Sequence, residues 1–188
     1  VSAKTALLNE ANAPFPPGGF IDATKLERIT LAYDWLVAAN QLTSAEQATV
    51  VHRLQQWANW INNYNLPGGG TLPSYGLTNY NGPYAMASGN AEIGLILKDN
   101  PPAATGTYYT TPTQIENLIT QNRDKLINGN KDTFSNGGQY DEGWRYTAYG
   151  PTTGAIIALA ALENNNYGDA LQMAGNADDY PLFAAYSL

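Results

Sequence analysis

The chain has 188 residues, of which 44% are hydrophobic and 13% charged, with a formal net charge of −7 at pH 7 and no cysteine. This size and apolar content predict one domain with a packed core. The negative charge argues against a nucleic-acid surface, the missing cysteines exclude disulfides and thiolate chemistry, and no apolar run approaches the roughly 20 residues of a membrane span. Low charge with many Asn, Gly and Tyr residues is typical of a secreted or periplasmic bacterial protein, and a chain that starts at Val1 is predicted to be processed or excised.

The first 40 residues of the chain predict a loop followed by a deeply buried helix. Residues 1–19 contain the breaker run Pro-Phe-Pro-Pro-Gly-Gly, which predicts irregular structure. A helix is predicted over residues 22–40, and its apolar residues form more than one stripe, which predicts burial around most of its girth. Asp34 lies among them, so its carboxylate should be hydrogen-bonded or face a wet cavity.

Two amphipathic helices are marked by capping boxes, in which an N-cap side chain and the side chain three residues later bond each other's backbone amides. Thr43 and Glu46 form the first box, and the helix behind it carries one apolar stripe with Arg53 on the opposite, polar side. Thr111 and Gln114 form the second box, and Gly129 is predicted to end that helix. Both helices are expected to be half-exposed, on the outside of the fold.

Two further helices, over residues 84–98 and 152–164, are apolar on most faces and are therefore predicted to be buried. Buried helix, amphipathic helix and long aromatic loop recur along the chain, which is the pattern of stacked helical hairpins. The sequence thus predicts an all-α, single-domain fold over residues 1–188, arranged as an incomplete (α/α) toroid; the alternative is an ordinary helical bundle with long loops. Three long loops would meet on one face of the toroid: residues 14–20, 65–83 and 134–151.

The loop before the last buried helix concentrates ionisable and aromatic side chains. Such groups are costly to bury without partners, so their crowding at the start of a buried helix indicates a ligand cleft. The alternative is a surface loop that is packed by its own rings. The side chains concerned are Tyr140, Asp141, Glu142, Trp144, Arg145, Tyr146 and Tyr149.

Three segments carry a family resemblance. Residues 140–150 read Y-x-E-G-x-x-Y-x-x-Y-G, and residues 31–36 read Leu-Ala-Tyr-Asp-Trp-Leu with Leu-Thr-x-x-Glu at 42–46. Residues 79–97 begin with Asn-Tyr-Asn and end with Gly-Leu-Ile-Leu. These segments resemble the heparinase II/III-like and alginate-lyase-like polysaccharide lyases, and the resemblance spans residues 20–165. It implies a toroid, usually followed by β-sandwich domains, that cleaves uronate-containing polysaccharides by β-elimination.

The resemblance also implies roles for individual residues. The amide of Asn79 or Asn81 would bind the uronate carboxylate and stabilise the negative charge that develops on it. Tyr146 would remove the neighbouring proton and then protonate the leaving oxygen; the ordinary tyrosine pKa of about 10 must then be lowered by a positive group such as Arg145, while Glu142 would orient its neighbours. The substrate would be bound by Asp34, Trp35, Tyr80, Tyr84, Tyr140, Trp144 and Tyr149.

One departure from the family keeps other functions open. Many relatives use a cleft histidine, whereas the single histidine here, His52, lies off the apolar stripe of a predicted outer helix. An inverting glycoside hydrolase would use Glu142 or Asp141 as acid and Asp34 as base. A non-catalytic glycan-binding or self-assembling protein would stack sugars or neighbouring chains on Trp35 and the other aromatic residues. The expected partner is a polysaccharide or oligosaccharide, together with a C-terminal β-sandwich domain or a second copy; no cofactor or metal is predicted.

Overall fold

The computed structural model describes residues 2–15, 26–63, 81–101, 110–135 and 154–173. These residues form helices and turns without any strand, which confirms the predicted all-α class. Within these ranges, no helix is both long and apolar enough to cross a membrane. In chain order the helices are α1 Ala3–Asn12, α2 Leu26–Ala38, α3 Ser44–Asn63, α4 Asn81–Asp99, α5 Pro112–Ser135, α6 Gly154–Asn164 and α7 Ala170–Met173.

Helix α4 is the centre of the fold. It packs against α2, α3, α5 and α6, and every residue from 86 to 95 is buried, as predicted for a helix that is apolar on most faces. Two glycines on α4 bring neighbouring helices very close. A Cβ added at Gly89 would lie 2.8 Å from Leu26 Cβ on α2, and one added at Gly94 would lie 2.6 Å from Ile119 Cγ1 on α5.

Helices α2 and α4 run in the same direction. Leu26 meets Gly89, and about one turn further along both helices the Thr30 hydroxyl is hydrogen-bonded to the Glu92 carboxylate. Because the second contact lies closer to the C-terminus than the first in both helices, the two helices are parallel. Their C-terminal ends therefore lie at the same end of the bundle.

Helix α6 also runs parallel to α4, against which it packs. Tyr167 follows the end of α6, and its hydroxyl accepts a hydrogen bond of 2.7 Å from Lys98 at the end of α4. The same hydroxyl donates to Glu116 in the first turns of α5 at 2.9 Å. Helices α2, α4 and α6 therefore all end at one end of the bundle, and all begin at the other.

The same motif ends α2 and α6. Asn40 and Asn166 adopt the left-handed backbone conformation, with φ of 53° and 65°, which asparagine tolerates better than most residues. The next amide donates to the carbonyl five residues earlier, at 2.8 Å for Gln41 and 3.0 Å for Tyr167. This Schellman motif turns the chain directly from α2 into α3 and from α6 towards α7.

Both predicted capping boxes are confirmed. The Thr43 amide donates to Glu46 Oε2 at 2.8 Å and the Glu46 amide donates to Thr43 Oγ1 at 3.3 Å; Thr111 and Gln114 form the same pair of bonds at 2.8 and 3.3 Å. The predicted helix end at Gly129 is wrong, because α5 continues beyond it. Gly129 is buried inside the helix, where packing outweighs the roughly 1 kcal/mol that glycine costs in a helix interior.

The first capping box should make the fold less stable at acid pH. The Lys4 ammonium, 2.9 Å from the Glu46 carboxylate, and the Thr43 amide lower the pKa of Glu46 from 4.5 to about 2. Because the folded pKa lies below the unfolded one, this stabilisation is present above about pH 4.5 and is lost as the pH falls towards 2. We expect Glu46→Gln to flatten the fall in urea-unfolding free energy over this range. Equal acid slopes in the two proteins would contradict the assignment.

The predicted loop over residues 1–19 is wrong for its first part, which forms α1. Ser2 caps this helix by accepting a hydrogen bond of 3.2 Å from the Thr5 amide. Leu7 and Ala11, four residues apart, are buried, and the helix packs against α2 and α3. This short amphipathic helix was not predicted because the breaker run at residues 14–19 led us to assign the whole segment to a loop.

The prediction that Arg53 lies on an exposed polar face of α3 is wrong. The residue is only 7% exposed, because α1 covers that side of α3. Its Nε donates to the Ala11 carbonyl at 3.1 Å and a terminal nitrogen donates to the Ala13 carbonyl. The guanidinium also lies 5.2 Å from the centre of the Phe15 ring, so one side chain holds the whole C-terminal end of α1.

We expect Arg53→Met to loosen α1. The substitution keeps an unbranched apolar side chain but removes both donors, and hydrogen bonds of a charged group to buried acceptors contribute on the order of 1.5 kcal/mol. Hydrogen exchange should show faster exchange in α1 amides with little change in α4. Arg28→Met, which alters an exposed arginine on α2, is the matched control. Equal effects of the two variants on α1 would contradict this role.

The prediction that α2 is buried around most of its girth is also wrong. Its buried residues Leu26, Ile29, Thr30 and Tyr33 lie on one side, whereas Asp34 is exposed and Trp35 is 68% exposed. The predicted difference in burial between inner helices such as α4 and outer helices such as α5 is likewise smaller than expected. Leu95 on α4 and Asn122 on α5 are buried to nearly the same extent, at 8% and 7% exposure.

Candidate functional site

A cleft of about 380 Å³ lies between α2, α4 and α6, toward the end of the bundle where these helices terminate. Its volume falls within the range of roughly 300–1,000 Å³ that is typical of small-molecule sites. Apolar side chains from all three helices form its walls: Leu31, Val37, Leu95, Ile96, Ile157 and Ala161. The polar lining consists of Thr30, Tyr33, Asp34, Glu92, Asp99, Asn100 and Asn165.

Glu92 is the most deeply buried acid of this lining, with 6% of its surface exposed. Its carboxylate is hydrogen-bonded to the Thr30 hydroxyl, which in turn lies 2.9 Å from the Leu26 carbonyl. A buried carboxylate needs such partners, since an unpaired charge is costly to remove from water. The contact also links α2 to α4 across the base of the cleft.

Tyr33 belongs to the same lining, and its hydroxyl oxygen is buried. Tyr33 is 1% exposed, and in the part of the chain that the structure describes its Oη has no hydrogen-bond partner. Burial raises the pKa of Tyr33 above its ordinary value of 10.0, so the phenol is neutral at neutral pH and can both donate and accept. Leaving a buried polar group unpaired costs about 1–3 kcal/mol, which makes this hydroxyl a ready partner for a ligand.

The electrostatic character of the cleft is negative. Asp34, Glu92 and Asp99 contribute carboxylates, and no lysine, arginine or histidine is found among its described lining residues. The C-terminal ends of α2, α4 and α6 each add about half a unit of negative charge there. Lys98 is adjacent in sequence, but its ammonium is held by the Tyr167 hydroxyl, and the Tyr167 ring lies beneath it at 4.7 Å.

Of the residues predicted to form the site, the structure describes a minority. Asp34 lines the cleft, and Trp35 is the next residue of α2. Asn81 is the first residue of α4 and Tyr84 lies in its first turn, at the end of the helix away from the cleft. The others lie outside the described residues: Tyr146, Asn79, Glu142, Arg145, Tyr80, Tyr140, Trp144 and Tyr149.

Sequence reasoning missed Tyr33, Glu92 and Asp99 as cleft residues. The signal for Glu92 was available, because a lone acid in an otherwise apolar helix must find a polar environment. Tyr33 gave no such signal, since a tyrosine on an apolar stripe is normally interpreted as a core residue. His52 is exposed on α3 and lies outside the cleft, and within the described ranges no three His, Cys, Asp or Glu side chains converge as metal ligands.

Comparison of the chain with protein-family models, curated proteins and solved structures gave no match.

Proposed function

We propose that this protein is a polysaccharide-processing domain, built as an incomplete (α/α) toroid, that cleaves uronate-containing glycans by β-elimination. The reaction would occur at the end of the bundle where α2, α4 and α6 begin. This is the end opposite to the acidic cleft.

The parallel direction of α2, α4 and α6 carries the proposal. These helices begin at Leu26, Asn81 and Gly154, each after or within one of the predicted long loops, residues 14–20, 65–83 and 134–151, and the last two of these loops hold predicted site residues. Since the three helices start at one end of the bundle, the chain segments that lead into them would reach that end. Residues far apart in the sequence, such as Asn79 and Tyr146, would then share one site.

The start of these helices suits an anionic substrate. Each helix N-terminus contributes about half a unit of positive charge, which favours a uronate carboxylate there and disfavours it at the acidic end. Ser88 and Asn90, near the middle of α4, add a second observation. Both are buried, and Ser88 Oγ and Asn90 Oδ1 lack hydrogen-bond partners among the described residues. Such atoms are uncommon in folded proteins and are often explained by a function.

In the proposed reaction, Tyr146 takes the proton beside the carboxylate as the bond to the leaving sugar oxygen breaks. A carbon–carbon double bond forms, and Tyr146 returns the proton to the leaving oxygen, so no water is consumed. Asn79 or Asn81 would stabilise the charge on the carboxylate while the proton is lost.

A panel of uronate polymers tests the proposal, because elimination creates an unsaturated sugar with ultraviolet absorbance. We expect absorbance and new reducing ends to rise together on at least one polymer. New reducing ends without absorbance would instead support the inverting hydrolase.

Trp35 favours a second candidate, a glycan-binding protein without catalysis. A tryptophan that is 68% exposed on a helix beside a cleft offers a flat apolar face on which a sugar ring can stack. Binding of a polysaccharide in affinity electrophoresis, with neither absorbance nor new reducing ends, would support this candidate over the lyase.

A further inference from the structure

We propose that the cleft between α2, α4 and α6 is a binding site for an aliphatic amine, such as a diamine or a short polyamine. This site is separate from the proposed elimination site and lies at the other end of the bundle. The inference does not depend on lyase activity.

Charge defines the ligand class. Three carboxylates and three helix C-terminal ends surround the cleft, and its described lining holds no basic side chain. Asp34 and Asp99 are exposed, whereas Glu92 is buried. A cation in the cleft would therefore meet both exposed and buried carboxylates.

Tyr33 provides an independent sign of a ligand. Tyr33 lines the cleft, and its buried hydroxyl finds no hydrogen-bond partner among the described residues. An ammonium group would donate to this oxygen and to a neighbouring carboxylate at once. The hydroxyl alone could also serve an alcohol, but the surrounding carboxylates select a donor that carries positive charge.

The shape of the site favours an organic cation over a metal ion. Calcium and magnesium need six or more oxygen ligands around one point, whereas no three acidic side chains among the described residues converge in that way. The carboxylates are instead distributed around apolar walls formed by residues such as Val37, Ile96 and Ile157. Apolar walls with separated carboxylates match methylene segments between ammonium groups.

Calorimetric titration of the intact chain with putrescine, at an ionic strength of about 0.1 M where the Debye length is about 10 Å, tests the inference. We expect saturable binding at one site, and none for butanediol, which has the same carbon chain without the charges. Equal binding of the two compounds, or none of putrescine, would overturn the proposal.

Two variants distinguish binding in the cleft from general electrostatic attraction of putrescine to an acidic protein. Asp34→Asn removes an exposed cleft carboxylate and should weaken putrescine binding roughly tenfold, which is the loss expected for one charge-assisted hydrogen bond. Asp169→Asn makes the same charge change at an exposed residue outside the cleft and should leave the affinity within about twofold, since exposed charges at a distance are screened. Similar losses in both variants would contradict a defined site.

Tyr33→Phe tests the hydroxyl with two readouts that move in opposite directions. Removing an unpaired buried hydroxyl should leave the ligand-free protein as stable as before or more stable, by up to a few degrees in Tm, because its desolvation cost disappears. Putrescine binding should weaken several-fold. A variant that loses stability would show that the hydroxyl is already satisfied in the fold, and one that binds putrescine unchanged would show that the ligand does not use it; either result overturns the role of Tyr33.

Discussion

Replacing Tyr146 with phenylalanine is expected to lower the rate of elimination by at least about 10²-fold, since general acid–base catalysis typically contributes about 10²–10⁴-fold. The substitution removes only the hydroxyl and keeps the ring, so a packing role for this residue would survive it. The rate loss should appear in kcat, because the proton is transferred in the transition state and not on binding.

Tyr149→Phe is the matched control for this experiment. It makes the same chemical change three residues away, at a residue that we assign to substrate contact and packing of the loop and not to proton transfer, and should change kcat by less than about tenfold. A Tyr146→Phe enzyme with nearly normal kcat would refute the assignment. Equal losses in the two variants would show that the loop, and not one hydroxyl, is needed.

Gly94→Val is expected to lower the free energy of unfolding by about 3 kcal/mol, the upper end of the usual range for overpacking a core. A Cβ there would lie 2.6 Å from Ile119 Cγ1, and Ile119 is fully buried, so it has no free space into which to move. The Ile115 carbonyl, at 3.5 Å from the same Cβ, closes another direction. Urea unfolding at neutral pH measures the loss.

A double-mutant cycle distinguishes this clash from a general effect of valine in a helix. Ile119→Ala removes the atom that the new side chain would meet, and alone costs about 2–5 kcal/mol by leaving a cavity. Combined with Gly94→Val, it should cost at least about 1 kcal/mol less than the sum of the two single changes. Additive losses would contradict the close contact of α4 with α5.

The parts of the fold that the sequence predicted well depend on local chemistry. Both capping boxes could be read directly, because the two side chains of each box bond to backbone amides within four residues. The burial of α4 followed from its composition, since a helix that is apolar on most faces has no side suited to water.

The errors arose where distant parts of the chain meet. Arg53 seemed to belong to a solvated face, and only the unpredicted α1 shows why it is buried: the C-terminal end of α1 supplies carbonyls that satisfy its donors. Trp35 was predicted to lie on a helix that is buried around most of its girth, yet it is exposed, since the buried residues of α2 lie on one side only. Neither the burial of Arg53 nor the exposure of Trp35 can be predicted from the residues next to it in the sequence.

The cleft could be predicted only in part. Asp34 was recognised as an acid in need of a polar environment, and it lines the cleft. The juxtaposition of Glu92 with Thr30, 62 residues apart in the chain, depends on the parallel packing of α2 and α4. No periodicity within either helix specifies that neighbour, so the acidic end of the bundle emerged only from the structure.

The mass of the cleaved glycan tests the central claim, β-elimination, most directly. Uronate polymer would be digested in water enriched in heavy oxygen, and the oligosaccharides analysed by mass spectrometry. We predict products whose non-reducing ends are one water lighter than hydrolysis products and whose new chain ends gain no heavy oxygen through bond cleavage. Fully hydrated products that carry one heavy oxygen for each bond broken would contradict the lyase and establish a hydrolase in its place.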